Sequence, residues 1–164
     1  MLYDQLHIDI DRDECERTNF IKNGYFYILQ YNANNKKSFK PGFDKIPLIY
    51  CLAPDTTDIN CFWGVNFHYF PKNIQELILQ NMINNYNITD GKDKRVILSP
   101  KQLYDIYTNI SVGLRCYNRK GVLDAYRIYN CYIPKYLDVS PEFIILNKEK
   151  IITDFSVSNG NKGF

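Results

Sequence analysis

The chain has 164 residues, of which 45% are hydrophobic and 15% aromatic, and its formal net charge is +2. This composition is too apolar for a disordered chain, and the near-neutral charge argues against a nucleic-acid binder that works by bulk positive charge. The length suits one domain that folds without disulfides or metals. We predict a single domain over residues 1–164, with an acidic N-terminal segment over about 1–19 and a flexible C-terminal tail over about 156–164.

The first part of the chain predicts mainly β-strands. Alternating apolar residues at 6–10 suggest a short strand, and residues 24–31 are rich in the aromatic and aliphatic types that strands favour. Residues 47–52 form a continuous apolar run, which is typical of a buried strand. A polar turn at 53–60 then leads to a second strand at 61–69, so the two strands are expected to form an antiparallel hairpin.

Two helices are expected next. Pro71 opens the first, and apolar residues recur at helical spacing to about residue 85. The second has the sequence of a capping box, in which Ser99 caps, Pro100 takes the first helical position and Gln102 completes the box. Its apolar face is expected to continue through the following residues: Leu103, Ile106, Tyr107, Ile110 and Leu114.

The last part of the chain returns to strands. A helix or strand is expected near 122–130, and strands are expected at 132–139 and 143–146. The order of strands, helices and strands predicts an α+β fold. We expect a small antiparallel sheet or an SH3-like barrel with a two-helix insertion.

No sequence pattern for catalysis, a cofactor or a metal stands out. The five cysteines are odd in number and lack zinc-ligand spacing, which fits a reducing cytoplasm at the time of folding. The acidic run at 9–13 resembles the start of a calcium loop, but Glu14 and Phe20 stand where glycine and glutamate are needed. No glycine-rich phosphate loop or nucleophile elbow occurs, and no apolar run approaches membrane-spanning length. We therefore predict no catalytic residues, no metal, no cofactor and no membrane partner.

Basic residues bracket the second predicted helix: Lys92, Lys94, Arg95, Arg115, Arg119 and Lys120. If the ends of this helix face one surface, these side chains can hold phosphates without reading bases. Tyr117 lies between two of them and can stack on a base. Two other interpretations stay open. In the first, the basic side chains are ordinary charges on solvated loops. In the second, the acidic N-terminal segment of one copy meets the basic face of another.

Residues 41–71 are the most distinctive stretch. Gly64 permits a bulge or a close backbone approach within a strand. Asn66 and His68 lie two residues apart, so on a strand they share one face and form either a polar network toward the loop near Asp44 or an exposed partner contact. Trp63 requires a hydrogen-bond acceptor if its indole is buried.

This stretch resembles part of a family of tailed-bacteriophage virion proteins that are described as DNA end protector or head–tail connector proteins. In that family an Asp-x-x-Pro-Leu-Ile strand precedes a Gly-x-Asn-Phe-His-Tyr strand, a proline and a helix. The residues that carry the resemblance, together with the neighbouring tryptophan, are Asp44, Pro47, Leu48, Trp63, Gly64, Asn66, His68 and Tyr69. A weaker likeness occurs at 126–145, so the resemblance covers about half of the chain.

The resemblance implies a non-enzymatic structural protein of a phage particle, made in the host bacterial cytoplasm and located in the virion. It further implies a homo-oligomeric ring at the portal or head–tail junction, with portal and neck proteins and packaged double-stranded DNA as partners. The motif residues are then expected to be fixtures of the fold. One alternative is a small nucleic-acid-binding module that acts in the infected cell through its basic loops. Another is an enzyme of unrecognised type, if His68, Asp44 and a cysteine converge.

Overall fold

A computed structural model describes residues 13–32, 46–91 and 93–137. These residues form six strands: β1 (Cys15–Arg17), β2 (Phe26–Tyr31), β3 (Leu48–Pro54), β4 (Cys61–Asn66), β5 (Leu114–Asn118) and β6 (Val122–Ile128). They also form helices α1 (Lys72–Tyr86) and α2 (Pro100–Ile106). Short 3-10 helices span Phe67–Tyr69, Ile110–Gly113, Arg119–Gly121 and Asn130–Tyr136.

The strands form one antiparallel sheet in the order β1-β6-β2-β3-β4-β5. Both α-helices lie in the connection between β4 and β5. The predicted α+β fold, an antiparallel sheet with a two-helix insertion, is therefore confirmed. The predicted strand at 24–31 and the hairpin of β3 and β4 are also present.

The sheet coils so that the end of β2 meets the end of β5. The rings of Tyr31 and Tyr117 lie 5.1 Å apart, and the Asn118 N–H donates to the Tyr31 hydroxyl at 3.0 Å. The order β6-β2-β3-β4-β5, with a 3-10 helix between β5 and β6, is that of an SH3-like barrel. Within the residues that the structure describes, however, no ladder joins β5 to β6, so the sheet stays open along that seam.

Successive side chains of a strand point to opposite faces, so the coiled sheet supports two cores. The outer face packs against α1 and α2 through residues such as Leu48, Tyr50, Val65, Ile78 and Met82. The concave face encloses a second cluster: Tyr27, Leu29, Ile49, Cys51, Phe62, Tyr117 and Ala125. Partly buried side chains around the concave cluster, such as Tyr25 and Tyr31, pack against it.

The helix boundaries agree with their local signals. Helix α1 begins after Pro71 and ends at Asn87, which has the left-handed φ of 54° that asparagine tolerates better than most residues. In α2, Ser99 and Gln102 form both bonds of the predicted capping box. Both helices therefore begin as the sequence predicts.

The predicted strand at 61–69 is wrong beyond Asn66. The Asn66 side-chain oxygen accepts from the His68 backbone N–H at 2.9 Å and caps the 3-10 helix Phe67–Tyr69. Asparagine side chains compete in this way with the ladder of a sheet. Asn66 and His68 are therefore joined through this cap, and they do not share a strand face.

Two further predictions fail. The apolar face expected to run from α2 to Leu114 is broken, because α2 ends at Ile106 and Leu114 begins β5. The intervening threonine, asparagine, serine and glycine favour helix poorly, and pairing with β4 decides the conformation. The strand expected at 132–139 is a 3-10 helix as far as Tyr136, and Pro134 within it could not donate to a ladder. The strands expected at 6–10 and 143–146, and the tail at 156–164, lie outside the described residues.

Candidate nucleic-acid interface

Where the structure describes them, the residues that carry the family resemblance make contacts that stabilise the fold. The Trp63 indole N–H donates to Asp55 at 3.1 Å, and Asp55 also accepts from Thr57 and from the Asp58 N–H. These bonds hold the pKa of Asp55 below its ordinary value, with the bond from Trp63 as the largest cause. Asp55 thus provides the acceptor that the indole requires and organises the turn between β3 and β4.

Gly64 lets two side chains of the concave cluster approach the backbone of β4. A Cβ atom at this position would lie 3.2 Å from Ile49 Cδ1 and 3.4 Å from Tyr117 Cε2. Leu48 is fully buried, and the Pro47 carbonyl accepts from the Leu29 N–H at 3.1 Å. These positions therefore serve packing and strand pairing.

The remaining residues of this group lie around the end of β4. Tyr69 is buried beneath the Arg115 guanidinium, whose central carbon lies 4.4 Å from the ring centroid. Asn66 is 1% exposed and His68 is half-buried. Asp44, toward which a polar network was expected, lies outside the described residues.

The structure separates the predicted basic residues by role. Lys94 donates to the carbonyls of Tyr86 and Asn87 at 3.2 and 3.1 Å, where its charge meets the negative C-terminal end of α1. Lys120 is exposed beside β5, and Arg115 is half-buried over Tyr69. Lys92 lies outside the described residues.

Tyr117 and Glu14 depart from the expectations drawn from the sequence. Tyr117 is 5% exposed within the concave cluster, so it cannot stack on a base in this conformation. Glu14, expected among solvated surface charges, is 6% exposed and accepts from the Tyr136 hydroxyl at 2.7 Å and from Lys135. Tertiary packing therefore buries both residues, although the sequence around each predicts a position at the surface.

Arg95 is held in a defined orientation. Its Nε donates to the Asn23 carbonyl at 2.7 Å and its Nη2 donates to the Asn23 side-chain oxygen. Its central carbon lies 6.0 Å from the Tyr25 ring centroid. Gly24 has φ +90°, and a Cβ there would lie 2.9 Å from Arg95 Cγ, so only glycine leaves room for this arrangement.

Arg119 lies over the ring of Phe62, with 5.2 Å between the guanidinium carbon and the ring centroid. Its backbone N–H donates to the Asn60 carbonyl at 2.7 Å. Burial raises the pKa of the Cys51 thiol to about 12, and the charges of Arg119 and Arg95 both oppose that rise. Phe62 belongs to the concave cluster and Tyr25 packs against it, so both guanidiniums lie over rings on the same face of the sheet, and we call them the arginine pair.

The arginine pair differs in its neighbours from three other described cations, each of which is paired with a carboxylate. Arg17 is paired with Asp124, Arg127 with Glu16 and Asp93, and Lys135 with Glu14. In the part of the chain that the structure describes, neither Arg95 nor Arg119 has a carboxylate within salt-bridge distance. The pair therefore carries positive charge that these residues leave uncompensated, as a phosphate-binding surface requires.

The described ranges contain no group of three or more His, Cys, Asp or Glu side chains arranged to hold a metal ion. They also contain no helix that is long and apolar enough to cross a membrane.

Comparison with known proteins identifies one family. The model of the family described as phage T4 terminal DNA protecting protein matches residues 12–102, which is more than half of the chain. No curated protein and no solved structure matches the chain. The match includes the segment at 41–71 and also Asn23, Gly24 and Arg95, whereas Arg119 lies beyond its end.

Proposed function

Because the chain belongs to the family of the phage T4 terminal DNA protecting protein, we propose that it binds the ends of linear phage DNA and shields them from exonucleases. The family match over residues 12–102 is the observation that carries this proposal. The matched segment contains β1 to β4, α1 and Arg95, so it includes most of the sheet and one member of the arginine pair.

The charge distribution supports contact with DNA at a limited site. With a net charge of +2, the whole chain has little bulk attraction for DNA. The uncompensated arginine pair adds positive charge to one face of the coiled sheet. A protein that needs only the end of a duplex can work with a few phosphate contacts, and each contact adds to affinity through counterion release.

The proposed role is non-enzymatic. Shielding requires that the protein occupy the terminal nucleotides, because an exonuclease must reach the same atoms to cleave them. The contacts that we propose between the protein and the DNA backbone are hydrogen bonds and ion pairs to phosphates, which position the DNA without reading its sequence.

We further propose that the protein is carried in the phage particle, as a homo-oligomeric ring at the portal or head–tail junction beside the packaged DNA. The basis is the resemblance of residues 41–71 to virion proteins. Mass spectrometry of purified particles tests the location, and cryo-electron microscopy of the same particles tests the ring. Absence of the protein from particles would exclude both.

The direct test of end protection is an exonuclease assay. Linear double-stranded DNA is incubated with the protein and a processive exonuclease, and the loss of full-length DNA is followed with time. We expect the protein to slow degradation, and cutting of the same DNA by an endonuclease at a central site to continue unchanged. Equal inhibition of both nucleases would instead indicate general nucleic-acid binding, which is the alternative drawn from the basic loops.

A further inference from the structure

We infer that Arg95 and Arg119 together bind the terminal phosphate of a DNA strand, and that Asn23 acts as the positioning residue for Arg95. This inference rests on the proposed end-binding function and assigns it a site. A guanidinium offers a planar fork of N–H donors that matches the oxygens of a phosphate. Two such forks can surround one phosphate group.

Arg95 is preorganised for a ligand. Two of its guanidinium nitrogens are bound to Asn23, whereas Nη1 has no hydrogen-bond partner among the described residues. The side chain is exposed, so this remaining edge is available to a ligand. An arginine that is already oriented loses less conformational entropy on binding than a mobile one.

Arg119 is supported from beneath by two stacked rings. Phe62 is fully buried and stacks on Tyr117, with 5.6 Å between the ring centroids and 25° between the ring planes. Arg119 lies over this stack in a cation–π contact, and its guanidinium N–H groups have no hydrogen-bond partner among the described residues. The concave cluster therefore supports Arg119 as Asn23 supports Arg95.

The two guanidiniums lie over rings on the same face of the sheet. The Cys51 N–H donates to the Tyr25 carbonyl at 3.0 Å, and on its other side Cys51 pairs with Gly64 of β4. Phe62 lies two residues before Gly64 and so faces the same side of the sheet. The rings beneath the arginines thus lie about two strand spacings apart across the sheet and about two residues apart along it, roughly 12 Å in all. Two long side chains can span this distance around one phosphate.

The charge of the arginine pair suits a terminal phosphate. A terminal phosphate monoester carries close to two negative charges at neutral pH, as a phosphorylated side chain does. An internal phosphodiester carries one. Two arginines without carboxylate partners therefore match a terminal phosphate better than an internal one. Near Arg95, Glu16 and Asp93 are engaged by Arg127, whose guanidinium carbon lies 4.7 Å from the Tyr25 ring centroid.

The test measures affinity for three forms of one short duplex by fluorescence anisotropy. One form carries 5′-phosphates, one carries 5′-hydroxyls, and one is a closed dumbbell without ends. We expect the wild-type protein to bind the phosphorylated duplex roughly tenfold more tightly than the hydroxyl form, because a charge-assisted contact of this kind is worth about that factor. We expect Arg95→Ala and Arg119→Ala each to remove most of this preference.

Arg17→Ala is the matched control. It also removes one exposed arginine from the sheet, but the charge of Arg17 is already paired with Asp124. We expect it to keep the full preference for the phosphate. Arg95→Lys and Arg119→Lys retain the positive charge and most of the side-chain stem, so they decide the question if an alanine variant fails to fold. We expect the lysine variants to lose part of the preference because lysine lacks the planar fork.

The outcomes separate this inference from the function on which it rests. If the wild type prefers open ends to the dumbbell but ignores the phosphate, or if the arginine variants keep the phosphate preference, the assigned site is wrong and end binding stands. If the wild type binds the dumbbell as tightly as open ends, the proposed function itself is overturned.

Discussion

Tyr50 links the sheet to the segment that carries Arg95, and its hydroxyl offers a defined perturbation. The ring is 0% exposed in the outer core. Its hydroxyl donates to the Val96 carbonyl at 2.6 Å and accepts from the Leu98 N–H at 2.9 Å. Tyr50→Phe removes one oxygen atom and leaves both backbone groups without this partner.

The expected cost follows from those two bonds. A buried backbone group that loses its partner costs about 1–3 kcal/mol, so with two such groups we expect Tyr50→Phe to lower the free energy of unfolding by about 2–6 kcal/mol. For a chain of this length, each kcal/mol shifts the melting temperature by about 2–4 °C. Urea denaturation measures the free energy, and an unchanged m-value would show that the unfolded state is unaffected.

Tyr104→Phe is the matched control for this variant. Tyr104 is 56% exposed on α2, and we expect its hydroxyl to contribute within about 0.5 kcal/mol. A change below about 0.5 kcal/mol for Tyr50→Phe would refute the conclusion that the hydroxyl secures residues 96–98. A normal terminal-phosphate preference in a destabilised Tyr50→Phe protein would show that Asn23 alone is sufficient to position Arg95.

Two other variants test local features of the fold. Ser99→Ala removes the side-chain bond to the Gln102 N–H, so we expect a loss of about 1 kcal/mol in urea denaturation; no loss would contradict the importance of the capping box. The pH dependence tests Cys51, whose pKa burial raises from 9.0 to about 12. Above pH 9 the unfolded chain releases a proton that folded Cys51 retains, so stability is lost as the pH rises toward 12. We expect Cys51→Ala to reduce the slope of stability against pH in this range, whereas an identical slope would argue against a buried neutral thiol.

Local signals explain the elements that the sequence predicts correctly. The capping box from Ser99 to Gln102 satisfies orphan backbone groups within one turn, so its effect is independent of the rest of the chain. The apolar run of β3 and its polar turn predict a buried hairpin for the same local reason. The family resemblance at 41–71 also comes from consecutive residues, and the match over residues 12–102 confirms the family, although it does not test the motif itself or the connector role.

Non-local pairing explains the errors. The three residues of β1 have no periodic pattern, and they form a strand because β6 pairs with them. Leu114 follows α2 at helical spacing, yet it belongs to β5 because its pairing with Val65 outweighs a weak local preference. Asn66 ends β4 through a side-chain cap that strand periodicity alone does not reveal.

The amino-acid sequence by itself determined the α+β class, the two helix starts, the central hairpin and the basic residues that merit attention. Only the tertiary structure decided which of those charges lie together. Arg95 and Arg119 lie in separate parts of the chain, and the pairing of the strands puts the rings beneath them on one face of the sheet. Asn23 and Phe62, which orient and support them, carry no signal of that role in the sequence. Such contacts depend on strand register and sheet curvature, which arise from pairing between distant residues.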